Sequence, residues 1–357
     1  MVHPDGAHSG LAIRNVLVIG DTDITRSILD QLRHLNPPCQ LTLLTAPTTY
    51  SASTLSPNLH PKDDARTAPH HLTADLSSPA SLRAALTGQD LVISTAHGGD
   101  YALQTRLVDA AVAAGVPRFV PHEFGQDSLN EGVQSRLPPY GERARLIKYL
   151  RARESEGGGQ EAGRNGGEGR VEVESMNGYH APFSWVALAT GTLLDRRLVS
   201  GDLGFDIKWQ SATVHGSGKE EFAVSSLVWV GRLVARVMAR WDSVRNRYLY
   251  AAGCVTTADE VIECLQRSTG KEWAVGHIDV EDCVKEAERR LDRGFPDAGM
   301  LLMERSVLYD ATLDAVEAFK TRKANDMLGA GDEKVEDIVD AAFHEFQQHG
   351  KADCGCG

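Results

Sequence analysis

The sequence predicts an α/β fold, a doubly wound parallel sheet followed by a smaller C-terminal covering region. Three observations carry this. Short, unbroken apolar runs stand at residues 15–20, 91–95 and 118–121, the pattern of strands buried on both faces of a parallel sheet. Segments with helical spacing separate them, as right-handed βαβ units require. The first run, Asn15-Val-Leu-Val-Ile-Gly20, ends in glycine directly before a helix.

Taken in order, residues 24–35 place Ile24, Ile28, Leu32 and Leu35 on one helical face. A second strand is expected at 41–45, then a Ser/Thr/Pro-rich loop to about residue 69. Residues 71–74 read as a third strand, and 81–86 as a helix beginning after Pro79. Residues 91–95 are the fourth strand, and 103–114 a helix closed by Gly115. Residues 118–121 make the fifth strand and 142–153 a further helix. The stretch 157–169, rich in Gly, Glu, Asn and Arg, lacks the apolar content to join a core and is expected to be a mobile insertion. A strand at 183–189 follows, then helices at 227–238, 258–268 and 280–290 and a short strand at 248–251. This second half is expected to pack on the same sheet. The division that results is a loose leader (1–13), a doubly wound sheet domain (14–190), a smaller covering region (191–350) and a tail (351–357).

Composition narrows the partners. The 357 residues are 42% hydrophobic and 24% charged, as in an ordinary globular protein. No apolar run approaches the ~18 residues of a membrane span, and residues 1–10 carry no signal-peptide pattern. Six scattered cysteines make no disulfide framework, which points to a reducing cytosolic location. A net charge of −12 argues against nucleic acid and anionic membranes as partners. A small-molecule substrate is expected, with a homodimer or protein partner left open. No histidine or cysteine spacing predicts a metal site, and Cys354-Gly-Cys356 reads as an unstructured end.

Four segments together carry a family resemblance. Asn15-Val-Leu-Val-Ile-Gly-Asp-Thr-Asp23 resembles the strand-and-loop start NVLVIGATGxxG. The stretch from Ala110 to Gly125, AAVAAGVPRFVPHEFG, is similar to AAxxAGVxRFxPSEFG and is the most specific of the four. Thr190-Gly-Thr-Leu-Leu-Asp195 with Gly204-Phe-Asp206, and Asn246-Arg-Tyr-Leu-Tyr250, look like the fungal branch of the same family. The chain is thus similar, over roughly residues 14–290, to NmrA-like and isoflavone-reductase-like proteins, relatives of the short-chain dehydrogenases. The resemblance implies a Rossmann-type sheet and an NADP(H) cofactor. It implies reduction of an unsaturated or carbonyl compound, as in secondary metabolism; the NmrA branch uses the fold for regulation instead.

The motifs depart from the family at two places. A dinucleotide loop uses glycines for a tight turn and for backbone approach to pyrophosphate at a helix N-terminus. Gly20 supplies the first; the rest reads Asp21-Thr-Asp-Ile-Thr-Arg26, without the second and third glycines. Gly20, Thr22, Asp23, Thr25, Thr95, Ala96, Glu123 and Phe124 are expected around the cofactor. Asp21 and Asp23 put carboxylates where the pyrophosphate would lie, so NADP(H) is expected to bind weakly or not at all. Thr22 or Asp23 serving simply as a helix cap is an equal alternative. The second strand ends Thr45-Ala-Pro47, with neither the acid that accepts from NAD ribose nor the arginine that pairs with the NADP phosphate. Lys62 or Arg66 could reach across.

Second, the catalytic lysine that the resemblance implies aligns with Arg143. Arginine stays protonated, so it holds an anion or oxyanion rather than shuttling protons. His97 and His122, at the ends of the fourth and fifth strands, are the candidates to deliver a proton; a hydrogen-bonded structural role for each is the alternative. The leading expectation is an NADPH-dependent reductase acting on a small molecule. A non-redox isomerase or cyclase using the same pocket, and a non-catalytic regulator, remain beside it.

Overall fold

Strands buried on both faces form the centre of the molecule, as their unbroken apolar runs require. A computed structural model describes residues 12–47, 68–158 and 182–350. In chain order these give β1 (Asn15–Ile19), α1 (Asp23–Leu32), β2 (Gln40–Thr45), β3 (His70–Thr73), α2 (Pro79–Leu86), β4 (Leu91–Ser94), α3 (Tyr101–Ala113) and β5 (Arg118–Val120). Next come α4 (Glu131–Arg136), α5 (Pro138–Gly158), β6 (Ser184–Ala189), β7 (Thr192–Leu193), α6 (Leu194–Ser200), β8 (Phe205–Asp206), β9 (Ser211–His215) and β10 (Phe222–Ser225). The rest is α7 (Leu227–Ala239), α8 (Trp241–Val244), β11 (Arg247–Tyr250), β12 (Cys254–Thr256), α9 (Ala258–Thr269), β13 (Ala274–Ile278) and α10 (Val280–Asp292). Four helices close the described chain: α11 (Pro296–Tyr309), α12 (Glu317–Thr321), α13 (Asn325–Leu328) and α14 (Val335–His349).

The main sheet runs β11-β6-β5-β4-β1-β2-β3, with every pairing parallel. Strand order reverses between β1 and β4, and open α/β sheets bind ligands in the crevice outside that point. Successive side chains of β1 go to opposite faces. Val16 and Val18 meet Ile28 and Leu32 of α1 and Leu233 and Val237 of α7. Leu17 and Ile19 meet Leu82 of α2, Leu107 of α3 and Ile147 of α5 on the other side. This is the three-layer Rossmann-like arrangement.

Two elements differ from expectation. Helix α5 starts at Pro138, one turn earlier than residue 142. Pro138 and Pro139 occupy its first turn, where a missing N–H forfeits no intrahelical bond, so a pair that reads as a helix breaker is here a helix start. The second half does not all pack on the main sheet. Residues 227–250 do return to it, through α7 and β11. The rest builds two three-stranded sheets, β12-β10-β7 and β13-β9-β8, around a core that includes Leu194, Phe205, Val214, Phe222, Leu265 and Tyr309. A single cut at residue 190 therefore does not separate the two cores.

The leader at 1–11, the stretch holding Lys62 and Arg66, and the tail with Cys354 and Cys356 lie outside the described residues. Of the glycine-rich stretch, Gly157 and Gly158 end α5 and the rest also lies outside. Among the described residues no helix is long and apolar enough to cross a membrane.

Candidate functional site

A cleft of about 780 Å³ opens at the switch point, bounded by the C-terminal ends of β1 and β4 and by α5, α6 and α11. Gly20 makes the turn out of β1 at φ +130°, and its N–H donates to the Leu44 carbonyl at 3.0 Å. A side chain here would collide with the Thr95 hydroxyl, so glycine is required both by conformation and by space.

Helix α1 is held against the sheet by three threonines. Thr22 caps it in a reciprocal pair with Thr25: the Thr25 N–H donates to Thr22 Oγ1 (3.3 Å) and the Thr22 N–H to Thr25 Oγ1 (2.9 Å). Thr95 donates its hydroxyl to the Ile19 carbonyl (2.8 Å) and accepts from Thr25 Oγ1 at 2.6 Å. The capping alternative thus falls to Thr22. Thr25 is 1% exposed and faces the sheet, outside the cleft lining where it was expected.

The two aspartates have different surroundings. Asp21 lines the cleft, and its Oδ1 is buried without a hydrogen bond, 3.6 Å from Nη1 of Arg26. Asp23 does not line it. Its carboxylate pairs with Arg26 and, at 2.9 Å, with Nε of Arg196, which also pairs with Glu345. Asp23 therefore ties α1 to α6 and α14, and only Asp21 presents charge to a ligand.

On the opposite wall stands Arg143, in the second turn of α5. Its Nε and Nη1 are buried and have no hydrogen-bond partner. The guanidinium lies over the Tyr140 ring, 4.5 Å from its centroid. Two glycines make its space: a Cβ on Gly98 would lie 3.0 Å from Arg143 Nε, and one on Gly125 would lie 3.2 Å from Nη1. Arg197, also in the lining, differs in being neutralised by Asp202 (3.2 Å) and Glu304 (2.5 Å). Buried N–H groups left unpaired in a cation are costly, and a ligand oxygen would relieve that cost.

His97 and His122 both line the cleft, with Thr95, Ala96 and Phe124. His97 sits at φ +30°, outside the usual range for its type, at the turn whose carbonyl accepts from Asp100 N–H. His122 does not suit the proton-donor role. Burial, with Arg143 beside it, lowers its pKa to about 3, so its imidazole is neutral near pH 7. Glu123, expected at the cofactor, is fully buried behind the cleft. Its Oε2 accepts from Ser128 Oγ at 2.6 Å and Tyr248 Oη at 3.5 Å.

Burial pushes the Glu123 carboxyl from its ordinary 4.5 up to about 7, against the opposing pull of Arg143. The folded state then binds this proton more tightly than the unfolded chain. Its contribution to stability is fully present below about 4.5 and is lost as pH rises through about 7. Glu123→Gln is expected to flatten the melting temperature across that window and to raise it on the alkaline side. Parallel melting curves for both proteins across the window would remove this role.

Tyr140, Gly98, Gly125, Arg197, Glu304 and Leu308 are lining or shaping residues that sequence reasoning did not single out. A usable signal existed for Tyr140, which lies three residues before Arg143 and hence on the same helix face. Glu304 and Leu308 come from α11, far along the chain, and no local pattern connects them to the cleft.

Comparison with known proteins agrees with this frame. The NmrA-like family pattern matches residues 70–156. An oxidoreductase of Aspergillus flavus, aprR, is 29% identical over 231 residues, 63% of this chain and 69% of that protein. The fold matches a crystal structure of isoflavone reductase (TM-score 0.66, 17% identity, 94% of this chain and 100% of that one). It also matches the leucoanthocyanidin reductase–NADPH complex of Vitis vinifera (TM-score 0.69, 14% identity, 92% and 99%).

Proposed function

We propose that this chain, which matches the NmrA-like family pattern over residues 70–156 and shares the fold of isoflavone reductase, is an NADP(H)-dependent reductase of a small unsaturated or carbonyl compound of secondary metabolism. The observation that carries this is Arg143, a cation with two buried, unpartnered N–H groups in the switch-point cleft.

The cleft fits a dinucleotide at the Gly20 turn, where no side chain intrudes, and in volume, which lies within the ordinary range for ligand sites. Asp21 is the one opposing group. Gly20 and Thr22 would then face the pyrophosphate, and Thr95, Ala96, His97 and Phe124 the nicotinamide end. When bound, the nicotinamide supplies hydride. Arg143 holds the substrate oxygen and stabilises negative charge that develops on it, as a fixed donor in a partly dehydrated site. Leu137, Leu203 and Leu308 exclude water from the apolar body of the substrate.

The experiment is calorimetric titration with NADPH, NADP⁺ and NAD⁺, followed by NADPH oxidation against a panel of enones and ketones. NADPH is expected to bind in preference to NAD⁺, and weakly, with turnover for part of the panel. No detectable binding of any of the three would overturn the redox reading. A non-redox isomerase or cyclase would then take its place, and the buried Asp21 oxygen favours that alternative. It suits a hydroxyl donor of a substrate better than a phosphate.

A further inference from the structure

We infer that Tyr140 is the proton donor of the site, its hydroxyl acting beside Arg143 on the same substrate oxygen. The inference rests on the reductase reading, but its first test does not. Tyr140 lines the cleft, and its oxygen accepts the Gln126 backbone N–H at 3.3 Å. Its own O–H donates to no described residue, so the proton is available to a ligand. The hydroxyl of Thr95, also in the cleft lining, is already given to the Ile19 carbonyl. His122 is neutral near pH 7 and has no acidic proton to give. Geometry also couples Tyr140 to Arg143. The guanidinium stacks 4.5 Å from the ring centroid, and a Cβ on Gly125 would stand 2.6 Å from the phenol oxygen and 3.2 Å from Arg143 Nη1. Both groups therefore pack against Gly125, whose missing side chain lets them approach one another there.

The step balances simply. When bound, a dihydronicotinamide would supply hydride to the electrophilic carbon, and the π electron pair would move to oxygen. The Tyr140 O–H bond breaks, its proton goes to that oxygen, and the phenolate left behind faces the Arg143 cation. Solvent returns the proton through the open mouth of the cleft. Five influences meet at the phenol: burial and Glu304 disfavour the phenolate, whereas Arg143, the Gln126 N–H and Arg197 favour it, and the balance keeps the proton on above the usual tyrosine range. Tyr140 is therefore protonated at neutral pH, as an acid must be.

The first test needs no cofactor. 4-Nitrophenolate, whose absorbance reports its environment, is titrated into wild type and Tyr140→Phe, with folding checked by circular dichroism. The phenylalanine variant keeps the ring under Arg143 and is expected to bind the probe about tenfold more weakly, the worth of one charge-assisted hydrogen bond. In turnover, Tyr140→Phe is expected to lower kcat about 10²-fold or more with little change in KM. Site-specific replacement of Tyr140 by a fluorotyrosine, which keeps size and fold but is more acidic, moves the alkaline limb of the pH profile to lower pH. Unchanged probe affinity in Tyr140→Phe overturns the inference, whatever happens to kcat. An alkaline limb that does not move with fluorotyrosine overturns it as well. If wild type neither binds nor oxidises NADPH while the probe still depends on Tyr140, the reductase reading fails and the oxygen-binding role of Tyr140 stands.

Discussion

Arg143→Ala is expected to lower turnover about 10²–10³-fold, the usual consequence of removing one donor to a developing oxyanion. The structure makes the cause specific. Two of its nitrogens are buried and unpaired, in space left by Gly98 and Gly125. A charge kept there without a partner destabilises the free protein, so its removal should also leave stability unchanged or slightly raised. Arg143→Lys keeps the charge but loses the planar stack on Tyr140 and the spread of N–H donors. It is expected to fall between wild type and alanine. A gain of activity in the lysine variant would instead mark a lapsed form of the lysine-based site. Removal of the guanidinium has a second, spectroscopic consequence. Arg143 helps to hold His122 down at about 3, so the His122 pKa should rise in Arg143→Ala when followed by NMR. Activity and His122 titration both unchanged in the folded variant would take Arg143 out of the site.

Asp21→Ala is expected to tighten NADPH binding by tenfold or more, each factor of ten corresponding to about 1.4 kcal/mol. The carboxylate lines the cleft with one oxygen buried and unbonded, and its loss removes a charge of the same sign as the pyrophosphate. Adenosine, which has no phosphate, should bind both proteins equally. The gain should shrink at high salt as the electrostatic part is screened. Asp23→Gly is expected to behave differently, because Asp23 bridges to Arg196 rather than facing the ligand. It should cost stability without comparable gain in affinity. Equal NADPH affinity for Asp21→Ala and wild type would assign the weakness to the two expected glycines that the loop lacks.

Both results turn on a distinction that residue order alone does not make. Asp21 and Asp23 look equivalent on paper, two carboxylates in one loop. Folding separates them, because Thr22 takes the cap and starts the helix between them. Asp23 then turns outward to Arg26 of its own helix and Arg196 of α6, and Asp21 stays in the cleft. Glu123 and Phe124 make the same point. They are adjacent and belong to one motif, yet a strand end sends neighbouring side chains to opposite sides. Phe124 reaches the cleft, and Glu123 goes behind it to Ser128 and Tyr248.

What the sequence determined by itself was the frame: the unbroken apolar runs of the parallel strands, the helical periods between them, the glycine that ends β1, and the specific stretch before Gly125. These are local quantities. Burial on two faces demands apolar runs, and a positive φ demands glycine, whatever the rest of the chain does. The tertiary structure alone decided which polar groups share the cleft. It started α5 at Pro138 and so set Tyr140 one turn below Arg143. It brought Glu304 and Leu308 in from α11, and gave Arg197 its carboxylate partners while leaving Arg143 without one among the described residues. Partnership and burial depend on segments far apart in the chain, and they, more than residue type, decide whether a cation is structural or available to a ligand.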